Sequence, residues 1–212
     1  MSPELEGVTN SIFDNQVPDM WADKAYPSLK PLSSWVIDLL ERIKFINLWI
    51  DHGPPPVYWI SGFFFPQAFL TGTLQNYARK HQIAIDTVAW NFNVQDTKTF
   101  DNTKAPPEDG CYVTGYFLEG ARWDHATHQL AESRPKELYT DFPLMWLEPQ
   151  QHRKNPIDGF YDCPAYKTLT RAGTLSTTGH STNFVMYMEV PTDKSQSHWI
   201  NSSVALFTAL MF

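Results

Sequence analysis

Apolar positions recur with a helical period through the first third of the chain and with a period of two beyond it, and the change falls just after His81. Residues 1–30 predict a helical lead-in that Pro18, Pro27 and Pro31 cut into short pieces, because proline removes a donor and clashes inside a helix. A long helix over about 33–50 follows, with Ser33 or Ser34 as its cap. Val36, Leu39, Leu40, Ile43, Ile46 and Ile50 fall on one stripe of it. Asp38 and Arg42 make an i,i+4 pair on the opposite arc, a minor stabiliser of about 0.3 kcal/mol. Phe45, Leu48 and Trp49 share that back face, so the far half of the helix is expected to be covered on two sides, in part by polypeptide outside these residues.

Gly53-Pro-Pro-Pro56 ends the helix and forces an extended connection. A second helix over about 66–80 starts at Pro66 and buries Leu70, Leu74, Tyr77 and Ala78. Gly72 in its middle costs about 1 kcal/mol relative to alanine, which predicts a close backbone there. Val88, Trp90 and Phe92 then alternate with smaller or polar neighbours. Strands are predicted at Cys111 to Leu118, Leu144 to Leu147, Phe160 to Thr168 (broken), Phe184 to Val190 and Ser203 to Leu210. Helices first and short strands second give an α+β class, a helical part over residues 1–82 and a β part over 83–212 that closes as a sandwich or small barrel.

Composition narrows the function. The hydrophobic fraction of 42% supplies a core, and the aromatic fraction of 15% is high. A net charge of −7 argues against nucleic acid and against anionic lipid, both of which are held by basic side chains. No apolar run approaches the roughly 20 residues of a membrane span, and no targeting segment precedes the helices, as expected of an excised fragment. Cys111 and Cys163 match no Cys-x-x-Cys spacing; a single disulfide is one arrangement open to them, and reduced core residues of an intracellular protein are the expected one. Asn201-Ser-Ser203 fits the glycosylation triplet, but without a signal peptide it carries no weight.

No set of residues assembles a reaction. Thr71-Gly-Thr73 lies inside a helix without the lysine a phosphate loop requires. His125 and His128 stand at i,i+3, but two ligands without a third are a polar loop after Trp123 rather than a metal site. Cys163 and His180, with Ser181 beside it, would need spatial closeness and a lowered thiol pKa to act as a nucleophilic pair. Glu119, Asp124, Glu148 and Asp158 are acids whose spacing singles out no glycosidase pair. A carbohydrate-binding platform is the alternative that the tryptophans at 21, 35, 49, 59, 90, 123, 146 and 199 suggest, although such residues are more simply core and interface. Apolar side chains beyond what one small core hides mark a partner-covered surface, and Phe63, Phe64 and Phe65 in succession cannot all face one way.

Four segments carry a family resemblance. They are the run Tyr58 to Arg79, Gly115-Tyr-Phe-Leu-Glu-Gly-Ala-Arg-Trp-Asp124, Asn15-Gln-Val-Pro18 with Ala25-Tyr-Pro-Ser-Leu-Lys-Pro-Leu32, and Ser176-Thr-Thr-Gly-His-Ser-Thr-Asn-Phe184. In order and over almost the whole chain they resemble the C-terminal region of dynein heavy chains, the last segment its axonemal branch. The resemblance implies helices followed by an incomplete antiparallel β-barrel, together one C-terminal domain. It also implies a non-catalytic, regulatory role, bracing the AAA+ ring of a microtubule motor that drives ciliary or flagellar beating. ATP and Mg belong to that ring, and no cofactor, catalytic residue or metal site is expected in this segment. The expected partners are AAA+ modules of the same heavy chain, with other dynein subunits as further candidates. Microtubules are reached only through the parent chain. The implied location is cytoplasmic, in the axoneme of a cilium or flagellum. Phe45, Leu48, Trp49, Phe63, Phe64 and Phe65 are the candidate interface. One departure stands at Asn201-Ser-Ser203, where the resembled pattern has a basic pair and a glycine.

Overall fold

A computed structural model describes residues 2–26, 28–95, 105–151, 158–171 and 183–210. Helix α1 (Pro3–Phe13) begins with Pro at its first position, a Ser2 Oγ that accepts from the Leu5 N–H, and Glu4 and Glu6 against the positive helix end. It buries no residue, and the four-residue α2 (Asp19–Ala22) follows Pro18. Asn15, at φ 56°, reaches forward to the next helix, α3 (Leu32–His52). Its carbonyl accepts from the Leu32 N–H at 2.8 Å and its Oδ1 from the Ser33 N–H at 3.0 Å. The cap of α3 is therefore Asn15 and not Ser33 or Ser34: Pro31 occupies the N-cap position, has no side-chain acceptor, and leaves both serines inside the first turn.

The facing of α3 reverses the expectation. Its buried residues are Trp35, Asp38 and Arg42, and the half-buried Phe45 and Trp49 continue the same line at helical spacing. The Arg42 Nε donates to Asp38 Oδ2 at 2.7 Å, its NH1 donates to the Phe63 carbonyl at 3.2 Å, and its guanidinium lies 3.7 Å from the Tyr26 ring centroid. The Lys30 ammonium adds a contact to Asp38 Oδ1 at 3.3 Å. Burial pushes the Asp38 carboxyl up, but hydrogen bonds from Tyr26 and Arg42, with the Arg42 and Lys30 charges, outweigh it and hold the group below its ordinary value. The pair is thus a buried network linking α3 to Tyr26 and Phe63, not a marginal surface contact.

After Gly53 (φ 86°) the chain enters β1 (Val57–Trp59), a strand the proline run concealed. A single 3-10 turn (Ile60–Gly62) leads to α4 (Pro66–His81), which buries Pro66, Leu70 and Ala78 and leaves Leu74 and Tyr77 half-buried. No backbone approaches Gly72: it faces open space within 4 Å, on the wall of a cleft. Three sheets follow. The first runs β1-β3-β8-β2, with β2 (Val88–Val94), β3 (Cys111–Thr114) and β8 (Met145–Gln151), and β1 lies parallel to β3. The second runs β10-β9-β11-β4-β7, with β4 (Phe117–Glu119), β7 (Tyr139–Asp141), β9 (Phe160–Tyr166), β10 (Phe184–Pro191) and β11 (Ala205–Phe207). A hairpin of β5 (Ala121–Asp124) and β6 (Gln129–Glu132) is the third.

The predicted strand from Cys111 to Leu118 is two strands in different sheets. Gly115, at φ 98°, turns the chain between them, and a Cβ there would sit 2.6 Å from the Trp59 ring. Short α5 (Gln196–Asn201) seats Trp199 in the core, with its Nε1 donating to Thr192 Oγ1 at 2.7 Å. Val113, Leu118, Met145, Leu147, Met188, Val190 and Leu206 join it in one cluster spanning both large sheets. Cys111 and Cys163 are buried free thiols. The class is α+β, helices first and mixed sheets after.

Two changes test these contacts. Arg42→Met strands a buried carboxylate and should cost about 3–5 kcal/mol, whereas Asp38→Leu combined with Arg42→Met should recover most of it; thermal melts of the three proteins decide this. Ser203 adopts φ 55° where the resembled pattern has glycine, so Ser203→Gly should raise stability by about 1 kcal/mol in urea unfolding.

Candidate functional site

Several of the residues considered for catalysis have structural partners. His125 and His128 lie in the turn joining β5 to β6, where the Asp124 carboxylate accepts from the Ala126 N–H at 3.3 Å and from Thr127 Oγ1 at 3.1 Å. Among the described residues no three His, Cys, Asp or Glu side chains gather as metal ligands. Glu119 pairs with Arg171, and Glu148 accepts from Asn91 Nδ2 at 2.7 Å and Gln150 Nε2 at 2.9 Å, while Asp158 is exposed. Cys163 is fully buried, and that burial pushes its thiol far above the ordinary value; His180 and Ser181 lie outside the described residues. Burial likewise pushes the Cys111 thiol up to about 12, although a hydrogen bond with Thr73 acts the other way. Neither sulfur is a thiolate at neutral pH.

A cleft of about 390 Å³ opens between α3, α4 and the segment before β3, lined in part by Trp49, Tyr58, Phe69, Tyr77 and Lys80. Its rim groups are tied to one another: Asp109 takes Lys80 Nζ at 2.7 Å and His81 Nε2 at 3.1 Å. Of the eight tryptophans, only Trp21 is exposed, and it stacks on Trp35 at 6.4 Å, which leaves no exposed row of indoles for a sugar to lie on.

What the surface offers instead is aliphatic. Val36, Ile37, Leu40, Ile43, Leu48 and Ile50 are all exposed on α3, Ile50 at 75%. Leu39 and Ile46 border them, half-buried. The helix points its aliphatic stripe away from the core because its aromatic and charged line is engaged there. Phe45 meets Trp59 at 6.0 Å and Phe63 at 5.5 Å, edge to face, and Trp49 meets Tyr58 at 5.2 Å. Phe63 stacks on Phe69 at 4.4 Å. Of the six candidate interface residues, Phe45, Trp49 and Phe63 thus form an aromatic base, while Leu48, Phe64 and Phe65 stand at the surface, 50%, 45% and 42% exposed. Leu5, Ile12 and Phe13 on α1 and Met20 on α2 are exposed as well. No helix among the described residues is long and apolar enough to cross a membrane.

Sequence reasoning missed Lys167. It follows Tyr161, Cys163 and Ala165 on the inward parity of β9 and is only 3% exposed. Its Nζ has no hydrogen-bond partner among the described residues, and burial alone pushes the amine down to about 8. The period-two pattern was the signal that could have found it.

The class of protein follows from a comparison over nearly all of the sequence: the family model for the C-terminal domain of the dynein heavy chain matches residues 1–208, and the protein belongs to that family. Axonemal heavy chains are among its relatives. It is 59% identical over 210 residues, 99% of this chain, to dynein axonemal heavy chain 1 of Mus musculus. It is 55% identical over 205 residues, 97% of this chain, to dynein axonemal heavy chain 3 of Homo sapiens. To dynein axonemal heavy chain 12 of Homo sapiens it is 48% identical over 210 residues, again 99% of this chain. The chain spans 5% to 7% of the length of these relatives.

The Lys167 amine predicts a pH dependence. Its value falls from 10.5 to about 8 on folding, so between these limits the unfolded chain holds more protons and stability rises with pH. Relative to Lys167→Met, the unchanged protein should gain stability from pH 8 to pH 10 and show no trend below pH 8. Paired urea titrations check this, since the buried thiols and phenols contribute equally to both proteins.

Proposed function

We propose that this domain is a non-catalytic brace that docks on the AAA+ ring of its heavy chain and limits how far ring modules shift as ATP is hydrolysed. The observation that carries the reading is the outward aliphatic face of α3. Half-exposed aliphatic side chains each offer about 1 kcal/mol on burial, so the six on α3 supply an interaction large enough to bias a conformational equilibrium. Leu48, Phe64 and Phe65 extend the contact, while Phe45, Trp49 and Phe63 fix α3 to the segment around Tyr58 and Trp59.

In this reading ATP and Mg serve the ring, and the 212 residues contribute no cofactor ligand. The parent is an axonemal motor of cilia or flagella, as the names of the relatives support, and it meets microtubules elsewhere along its length. Its remaining partners are other dynein subunits. The two large sheets touch through β2 and β10 and share one core, which supports an incomplete barrel as the rigid mount for the helical arm.

The test is an intact heavy chain with Ile37→Asp and Leu40→Asp. Both positions are exposed, so helical content should persist, while microtubule gliding speed and ATPase rate should shift by about two-fold or more. Unchanged motility from a correctly folded motor would end the proposal.

A further inference from the structure

Lys167 and the start of α4 form a corner with an unmet electrostatic demand. The lysine backbone is fixed, its N–H donating to the Asn183 carbonyl at 2.8 Å and its carbonyl accepting from Thr208 Oγ1 at 3.3 Å. The side chain is buried, and among the described residues its Nζ has neither a hydrogen-bond partner nor an ion pair. Its neighbour is the Phe65 ring, whose centroid lies 5.4 Å away. A ring face compensates a buried ammonium only in part.

Phe65 is also the N-cap residue of the 16-residue α4. That helix has no side-chain cap and no acidic residue in its first turn, whereas α1 has Ser2, Glu4 and Glu6 in those roles. The positive end of α4 and the Lys167 ammonium therefore call for the same complement, an anion. Phe64 and Phe65, the two residues before the helix, are exposed, and Gln67 Nε2 ties the helix start to β10 through the Phe184 carbonyl at 2.9 Å.

We propose that this corner, formed by Lys167, Phe64, Phe65 and the N-terminus of α4, receives an Asp or Glu side chain from a segment of the same heavy chain outside these 212 residues. The proposal rests on the docking reading above and names one of its contacts. Charge sign selects the carboxylate. The apolar rim favours a side chain borne on polypeptide over a free ion, because two exposed phenyl rings gain only from a partner that covers them. Most of a heavy chain's length lies beyond this domain, given the 5% to 7% that it spans of its relatives. On docking, the carboxylate replaces the Phe65 ring as the main neighbour of the ammonium.

The experiment uses the intact heavy chain and a carbodiimide, which joins an amine to a touching carboxylate as an amide while the reagent takes up the water as a urea. Peptide mapping should find Lys167 joined to an Asp or Glu outside residues 1–212. In hydrogen exchange, Lys167→Met should speed opening at the start of α4 by about ten-fold, and Lys167→Arg should not. A longer amine-reactive linker at Lys44, exposed on α3, reports docking independently. If Lys44 links to the ring while Lys167 joins nothing, or joins only acids of this domain, the corner proposal is overturned and docking stands. If neither lysine links outside the domain, both readings fall. Stabilisation against urea by inorganic phosphate that Lys167→Met abolishes, without any amide to the ring, would identify a free-anion site and overturn the proposed source.

Discussion

The contact between Asp38 and Arg42 decides which way the long helix faces. Each ion is costly to bury alone, and the two are tolerated inside because Tyr26, Lys30 and the Phe63 carbonyl complete their hydrogen bonding. That network exists only if α3 turns its Trp35–Asp38–Arg42–Phe45–Trp49 line inward. Once it does, the aliphatic stripe has nowhere to go but out. The exposed face that supports a docking role is thus a by-product of where the charges are satisfied. It follows that the helix suits two covers, an aromatic one from its own domain and an aliphatic one from elsewhere.

Much of the fold was legible because periodicity reports which faces are buried. Both long helices begin and end within about two residues of the pattern-based limits, β2 and β10 coincide with alternating stretches, and β9 is continuous over Phe160–Tyr166 where the pattern suggested a broken strand. What was lost was short or punctuated. The strand β1 hid behind three prolines, and β3 and β4 read as one because Gly115 leaves no break in an apolar alternation. The hairpin β5–β6 and the helix α5 have elements of four to six residues, too brief for any period to register.

The surface was legible in kind but not in orientation. Weighing apolar residues identified an excess and an outward member of the triple phenylalanine, but not which one: Phe63 is half-buried, and both Phe64 and Phe65 are exposed. Amphipathic reasoning then assigned the wrong face of α3 to the core. It weighed Val, Leu and Ile as buried and Asp and Arg as solvated, a rule that fails when two ions neutralise one another in an aromatic setting. Lys167 escaped for a similar reason: lysine in an inward register is rare enough that its parity was ignored.

The parallel pairing of β1 with β3 spans the compositional divide near residue 82. The helical portion therefore supplies the outermost strand of a sheet that belongs to the remainder. Cleavage between the two portions would unzip β3 along one side, baring backbone donors and acceptors beside Cys111 and Val113. Raw strand margins of that kind recruit other strands, so the released C-terminal piece would be a sticky, self-associating species rather than a tidy fragment.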